Sequence, residues 1–508
     1  MNRRLALVAA IMGSFIAGLD ATAVNVALPA IRDDLGGGLA GQQWVSNAYL
    51  LTLGALILIG GSLGDVFGER RVFSIGVAGF GAVSLLCALA PTIELLVAGR
   101  ALQGAFGALL TPSALAVIIA VFPPAERGAA IGTWTAWGAI ATIVGPLAGG
   151  LLVDAVSWRL IFAVNVPFVL VTLVLIARSV PAREPGARHQ PVDWLGALLT
   201  ALGLAGPVLA LIRQPEEGWG SPQVWGPALA GLVLLGLFLA HERRTPAPML
   251  PLGLFRRRNF AVGNLETFAM YGGLGASFFF LTIFLQQVAG YDAVQAGLAM
   301  LPSTLMMFLL SKRAGRLADR LGPRLFMGLG PIVAALGLAG MTRLDARFDY
   351  WTELLPPLIV FSAGLVATVA PLTATVLADA DERNAGIASG VNNAIARIAG
   401  LLAVAAIGAV VSAAFANELG GNAPADAELT LGAATPAIAA ASVHAFHVGI
   451  WIAAALVGAG GLLGLLGIRN PRREVSCESC AGGQIEGQPL ELARTRGPGP
   501  SGPPVTAR

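Results

Sequence analysis

Gly61-Ser-Leu63-Gly64-Asp65-Val-Phe-Gly68-Glu69-Arg70 returns 254 residues later as Gly315-Arg-Leu317-Ala-Asp319-Arg-Leu-Gly322-Pro323-Arg324. The shared pattern is Gly-x-Leu-x-Asp-x-x-Gly-x-Arg. Each copy follows an apolar stretch, residues 44–64 for the first and 294–311 for the second. The apolar stretches that open the two regions begin at residues 5 and 259, again 254 apart. Two landmarks at one offset indicate an internal repeat, with like halves starting near residues 5 and 259.

The solvent of these halves follows from composition. Of 508 residues, 56% are hydrophobic and 12% charged, about half the charged share of a soluble domain. Mean hydropathy is +0.75. A soluble protein this apolar could not cover its surface with polar groups, so the expectation is an all-α polytopic membrane protein. A soluble enzyme, a disordered chain and a disulfide scaffold are excluded. The balance of 32 basic against 29 acidic residues, net +3, is no footprint for nucleic acid. Cys87, Cys477 and Cys480 cannot build a disulfide framework. Lys312 is the one lysine, Ala and Gly are heavy, and no Asn-x-Ser/Thr sequon occurs; a bacterial, GC-rich source is expected.

Apolar stretches long enough to span occur at about 5–30, 44–64, 72–90, 93–120, 128–153, 159–178, 193–212, 223–240, 259–288, 294–311, 325–342, 352–377, 386–415 and 444–468, fourteen in all. The start, Met1-Asn-Arg-Arg4 and an apolar run, mimics a signal peptide, with Ala21-Thr-Ala23 as a cleavage mimic; an uncleaved first span is expected. With the N-terminus cytoplasmic, 25 basic residues fall inside, 5 outside, and Arg100 and Arg397 within spans. This positive-inside bias supports an even count with both termini cytoplasmic. The expected organisation is a six-helix bundle over 1–178, two inserted helices with basic connectors over 179–258, a second six-helix bundle over 259–468, and a disordered tail over 469–508. Residues 416–443 read as a long external loop. Parallel repeats of six related by an axis along the membrane normal describe a major-facilitator architecture.

The motifs allow a narrower statement. The chain resembles the fourteen-helix drug:proton antiporter branch of the major facilitator superfamily over residues 5 to about 468. Leu19-Asp20-Ala-Thr22-Ala-Val-Asn25-Val-Ala-Leu28-Pro29 resembles the branch's first-helix signature. Gly61–Arg71 resembles the loop 2–3 motif A, and Arg100-Ala-Leu-Gln103-Gly104 with Gly107 the helix 4 motif B. Gly138 through Gly145-Pro146-Leu-Ala-Gly149-Gly150 resembles motif C, the antiporter mark. Trp158-Arg159-x-x-Phe162-x-x-Asn165-x-Pro167 and Ala385-Gly386-x-Ala388-Ser389-Gly390 resemble further signatures. Mild departures are Pro323 in place of Glu69, a single Arg324, and Ala23 where a β-branched residue is usual. The resemblance implies two six-helix bundles with two inserted helices, no enzymatic activity, no cofactor beyond the proton gradient, and a monomer in the bacterial plasma membrane. Its partners would be protons, lipid and a lipophilic or cationic small molecule.

Each motif carries a physical expectation. Asp20 lies about 15 Å from the outer end of its helix, and an intramembrane carboxylate is functional by default. It is either a proton-exchanging group or an ionised partner that pins packing. Arg100 lies at similar depth, with Gln103, Gly104, Gly107 and Thr111 on its face. Arginine stays protonated, so it can tune an acid but cannot carry the proton; it is otherwise an inter-helix anchor. Glu266 shares a ninth-span stripe with Met270, Phe280 and Phe284, read as a wall of the substrate cavity with Asp20, Asn25, Gln103, Asn393 and Arg397. Alternatively, Glu266 reaches the interface. Proton coupling is expected of Asp20, Arg100 and Glu266. Gly61, Asp65, Gly68, Arg70, Arg71 and their copies Gly315, Asp319, Gly322 and Arg324 are the expected gate. Gly138, Gly145, Pro146, Gly149 and Gly150 form a close crossing with a bend. Glu94 is a first-turn acid explained by the helix dipole. Cys477 and Cys480 supply only two of four zinc ligands, and His444 with His447 caps an interface; no metal site is expected. A Gly-x-x-x-x-Gly-Lys-Ser/Thr loop is absent, which removes ATP as the energy source. The expected function is proton-coupled export of amphipathic drugs or antibiotics. Export of one endogenous metabolite and a non-transporting membrane sensor are the alternatives.

Overall fold

The computed structural model describes residues 3–180, 193–246, 248–378, 385–420 and 435–470. The chain divides into a body, Met1–Arg469, and a second unit, Asn470–Arg508; nearly all of the expected tail and the middle of the expected 416–443 loop, 421–434, lie outside the described residues, and the ends of that loop are helical instead, in α14 to Glu418 and α15 from Pro436.

The first half comprises α1 (Arg3–Leu35), α2 (Gly38–Phe67), α3 (Glu69–Ala88), α4 (Ile93–Val121), α5 (Pro124–Ala155), α6 (Arg159–Ala163) and α7 (Asn165–Ser179). α6 and α7 run through helical Val164 as one rod. An inserted pair follows, α8 (Trp194–Glu217) and α9 (Pro222–Glu242). The second half comprises α10 (Arg258–Ile283), α11 (Ala293–Leu321), α12 (Pro323–Met341), α13 (Leu355–Ala378), α14 (Ala385–Glu418) and α15 (Pro436–Gly467). Short π turns extend α10 to Val288 and precede α13 from Tyr350. Among the described residues, twelve helices are long and apolar enough to cross a membrane, against the expected fourteen. α2 and α5 fall outside that set although they have 30 and 32 residues; both include side chains that are not described.

Helix ends sit where the sequence supplies caps. Thr92, Asp193, Ser221 and Thr435 accept a first-turn N–H, and Asp292 forms a capping box with Gln295. Proline opens α5, α9, α12 and α15, where its missing donor costs nothing.

The repeat is visible in three dimensions. Gly68 has φ 89° and ψ 130°, and Gly322 has φ 93° and ψ 142°. In both, the N–H closes onto the carbonyl four residues back, Gly64 or Ala318. A side chain would strain this backbone, so the repeated glycine makes the same corner twice. Packing repeats as well. α1 packs on α5 and α7 as α10 packs on α14 and α15; α4 packs on α2 and α3 as α13 packs on α11 and α12. Across the halves the main contacts are α2 with α14 and α5 with α11, a pair that the repeat exchanges; α1 makes smaller ones with α10 and α11. The inserted α8 lies against α2 and α14, through Leu204, Val208 and Ile212 on Leu51, Leu401 and Ala405. It thus straps one seam between the halves.

Candidate functional site

Because the helices alternate in direction, the bundle has a near end, where α1 begins, and a far end, where α1 finishes. Midway, the first half holds a buried polar cluster. Arg100 of α4 donates from Nη1 to Asp20 Oδ2 of α1 at 2.5 Å and to Gln103 Oε1 at 2.6 Å, and from Nε to the Val45 carbonyl at 3.1 Å. Gln103 Nε2 donates to Asp20 Oδ1 at 2.9 Å and to Ser84 Oγ at 2.7 Å. Asn165 Nδ2 donates to the same two acceptors at 3.1 and 3.2 Å. The Arg100 guanidinium stands 4.3 Å over the Tyr49 ring and 5.8 Å from the Phe162 ring. The ion-paired side chains of Arg100 and Asp20 are 2% and 0% exposed. Three donors converge on Asp20, one of them a full cation, which suits a group that only accepts when ionised.

Asp20, Arg100 and Gln103, set at like depth by the sequence, meet in this cluster. Ser84 and Tyr49 were missed, and Asn165 was noted only within a signature. Their available signal was position: Ser84 is a polar residue amid the apolar third span, and Asn165 opens α7.

The ninth-span stripe reads differently in three dimensions. Glu266, Met270, Phe280 and Phe284 are buried inside the second half, each at most 2% exposed. α10 is enclosed by α13, α14 and α15, so a stripe at helical spacing here faces other helices of the same half. Glu266 lies near the backbone of Met327 and Gly464, and among the described residues neither carboxyl oxygen has a hydrogen-bond partner. Phe284 stacks on Phe446 at 4.0 Å and on Phe348 at 6.2 Å. In contrast, Asn393 and Arg397 are exposed on one face of α14, and Asn25 is half-buried. Behind Asn393, Asn392 Nδ2 donates to Thr267 Oγ1 at 2.8 Å and Asn264 Oδ1 at 3.2 Å.

Motif C lies on the seam. A Cβ at Gly145 would collide with Thr22 Oγ1, and one at Gly149 would sit 3.1 Å from Ala23 of α1. A Cβ at Gly150 would sit 2.7 Å from the Ala293 carbonyl oxygen, and one at Gly297 2.8 Å from that of Pro146. α5 and α11 therefore touch backbone to backbone at the far end. Among the described residues, a Cβ at Gly138 would meet nothing within 4 Å. Beside them, Asp154 accepts from Val294 N at 2.9 Å and Ala293 N at 3.4 Å. Gln286 Nε2 donates to the Val26 carbonyl at 3.0 Å, and Gln43 packs on Gly408. The halves are thus joined at the far end.

At the near end, Arg70 donates to the Ala177 carbonyl at 3.1 Å and Arg324 to the Leu465 carbonyl at 2.6 Å, each within its own half. Arg71 is exposed and Gly315 half-buried. The side chains of Gly61, Asp65 and Asp319 lie outside the described residues. His447 Nε2 bonds the Leu344 carbonyl at 2.8 Å, a structural link as expected. Glu94 sits exposed in the first turn of α4, and Thr92 caps that helix.

The comparisons agree with this geometry. The family model described as Major Facilitator Superfamily matches residues 10–404. The puromycin resistance protein pur8 of Streptomyces alboniger is 38% identical over 81% of this chain and 82% of its own length. The tetracenomycin C resistance and export protein of Streptomyces glaucescens is 34% identical over 80% and 75%. Among solved structures, a bacterial homolog to the human lysosomal transporter Spinster, inward-facing and unoccupied, has TM-score 0.66 and 18% identity, covering 92% of this chain and 96% of its own. Its likeness gives the fold, the sequence relatives and matched model give the family, and this chain belongs to the Major Facilitator Superfamily as a multi-pass membrane transporter.

Proposed function

We propose that the protein is a proton-coupled antiporter that exports amphipathic small molecules, antibiotics among them, across a bacterial plasma membrane by alternating access. The carrying observation is the Asp20–Arg100 pair, one acid and one permanent cation sealed at mid-membrane depth. A proton on Asp20 cancels the charge that Arg100 is paired with, and loosens the tie between α1 and α4. Because α1 also packs on motif C through Thr22 and Ala23, that change reaches the seam. Substrate and proton then favour opposite states, which is what couples their fluxes.

In this reading all fourteen rods are spans, α2 and α5 included; at 1.5 Å per residue both exceed the roughly 30 Å hydrocarbon core. The arginine bias makes the near end cytoplasmic, with both termini there. The far-end contacts are the closed external gate, the binding chamber opens inward, and no cofactor is needed. Proton flux in energised vesicles tests the reading: Asp20→Asn should move substrate without proton movement, and coupling that survives this change refutes it.

Names of relatives that specify single antibiotics, puromycin and tetracenomycin C, favour a narrower version: resistance to one compound. Growth inhibition across unrelated lipophilic compounds, with and without the gene, separates one protected compound from many.

A further inference from the structure

We infer that the chamber recognises an anionic group on its substrate, a carboxylate or an acidic phenolate, and that Arg397 is the residue that holds it. The inference rests on the exporter reading and departs from the cationic half of the expected lipophilic or cationic substrate.

The argument begins with the whereabouts of charge. Two described acids lie in the middle of spans, Asp20 and Glu266, and both are buried, at 1% and 0%. Asp20 is occupied by Arg100, Gln103 and Asn165. Glu266 sits inside the second half against α12 and α15. Neither is presented to a ligand between the halves, so a lipophilic cation would meet no described carboxylate there. Arg397 is the opposite case. It lies 12 residues into α14, about 18 Å along the helix, and its side chain is exposed. Among the described residues no hydrogen bond or ion pair reaches its guanidinium. Its Cβ packs 3.5 Å from the Cβ position of Gly54 on α2, so the side chain leaves α14 at the seam. Asn393 is exposed one turn nearer the open end.

An unpaired arginine at mid-membrane is costly and is retained where a ligand or cavity uses it. Its planar fork of donors matches a carboxylate in two-point contact, and such charge-assisted bonds are the strong ones. Ile398, which packs with Arg397 on Gly54, opens an apolar surface that suits the aromatic or aliphatic body of an amphipathic acid. Tyr49 of α2 stacks on Arg100. Arg397 packs on Gly54 of the same helix, so α2 carries both a wall of the Asp20 site and the surface beside Arg397, which gives substrate and proton a physical link.

Three probes of one shape test this: anthracenecarboxylate, anthracenemethanol and anthracenemethylammonium, titrated by fluorescence against the purified full-length protein. The carboxylate is expected to bind wild type about tenfold or more tightly than the alcohol, and the ammonium no better than the alcohol. Arg397→Gln should reduce the carboxylate to the level of the alcohol, Arg397→Lys should restore most of the preference, and Arg397→Glu should turn it towards the ammonium. Equal binding of carboxylate and ammonium by wild type, or full carboxylate binding by Arg397→Gln, overturns the inference. Uptake of the same probes into inverted vesicles under a proton gradient separates the two readings. If the carboxylate binds as stated but the gradient does not move it, the exporter reading fails and the anion site stands. If the gradient moves the ammonium and not the carboxylate, export stands and the anion site falls.

Discussion

The Asp154 carboxylate at the far end of α5 accepts the Val294 backbone N–H at 2.9 Å in the first turn of α11, and so ties the two halves by a charge placed on a helix N-terminus. Such a contact is worth about 0.3–1 kcal/mol when exposed and up to about 2 kcal/mol when partly buried. In a two-state transporter that difference falls directly on the ratio of the states, because the contact exists only while the far end is closed. Asp154→Ala should therefore raise the far-end-open population roughly fivefold for about 1 kcal/mol lost. Spin labels at Val156→Cys and Trp351→Cys, exposed far-end positions in different halves, would report it as a growing long-distance population. An unchanged distance distribution would mean that the apolar seam alone sets the balance.

The glycines of motif C make a contrast within one helix. Gly150 is pressed against the Ala293 backbone, whereas a methyl group at Gly138 meets nothing within 4 Å among the described residues. Gly150→Ala must push α11 away from α5, a backbone displacement costing about 1–3 kcal/mol in the closed far-end state. Gly138→Ala should be silent. Transport of a resisted compound in whole cells, together with the same spin-label pair, should place the two variants apart; equal behaviour would dissociate the motif from far-end closure.

How far the sequence carried the architecture can be judged from these residues. The repeated Gly-x-Leu-x-Asp-x-x-Gly-x-Arg located both halves, because a corner that only glycine makes easily leaves a mark that side-chain drift does not erase. Equal depth along α1 and α4 was enough to bring Asp20 and Arg100 together, since a buried acid and a buried base in lipid must find partners. Spacing could not say which side of a helix faces the chamber. α10 packs chiefly on helices of its own half, and the Glu266–Phe284 stripe is buried there. Arg397 is one arginine on a polar stripe in the sequence; its exposure and its lack of a partner are visible only once α2 and α10 stand beside it. Tyr49 and Ser84 belong to helices whose rotation only packing fixes.

Glu266 offers the last test, because its placement argues against the coupling role that its sequence position suggests. It is fully buried, its carboxyl oxygens have no hydrogen-bond partner among the described residues, and Gly464 and Met327 close over it. A buried polar group left unpaired costs about 1–3 kcal/mol, more if charged. A neutral amide of the same shape removes any charge from the site without opening a cavity. Glu266→Gln should thus leave thermal stability unchanged or slightly raised and keep proton-coupled transport within about twofold of wild type, since no transition-state or ligand contact is lost. Paired measurements of the thermal midpoint and of proton flux per substrate moved decide the matter. Loss of coupling with an intact midpoint would make Glu266 a proton carrier after all, with a path that opens only when α12 and α15 part.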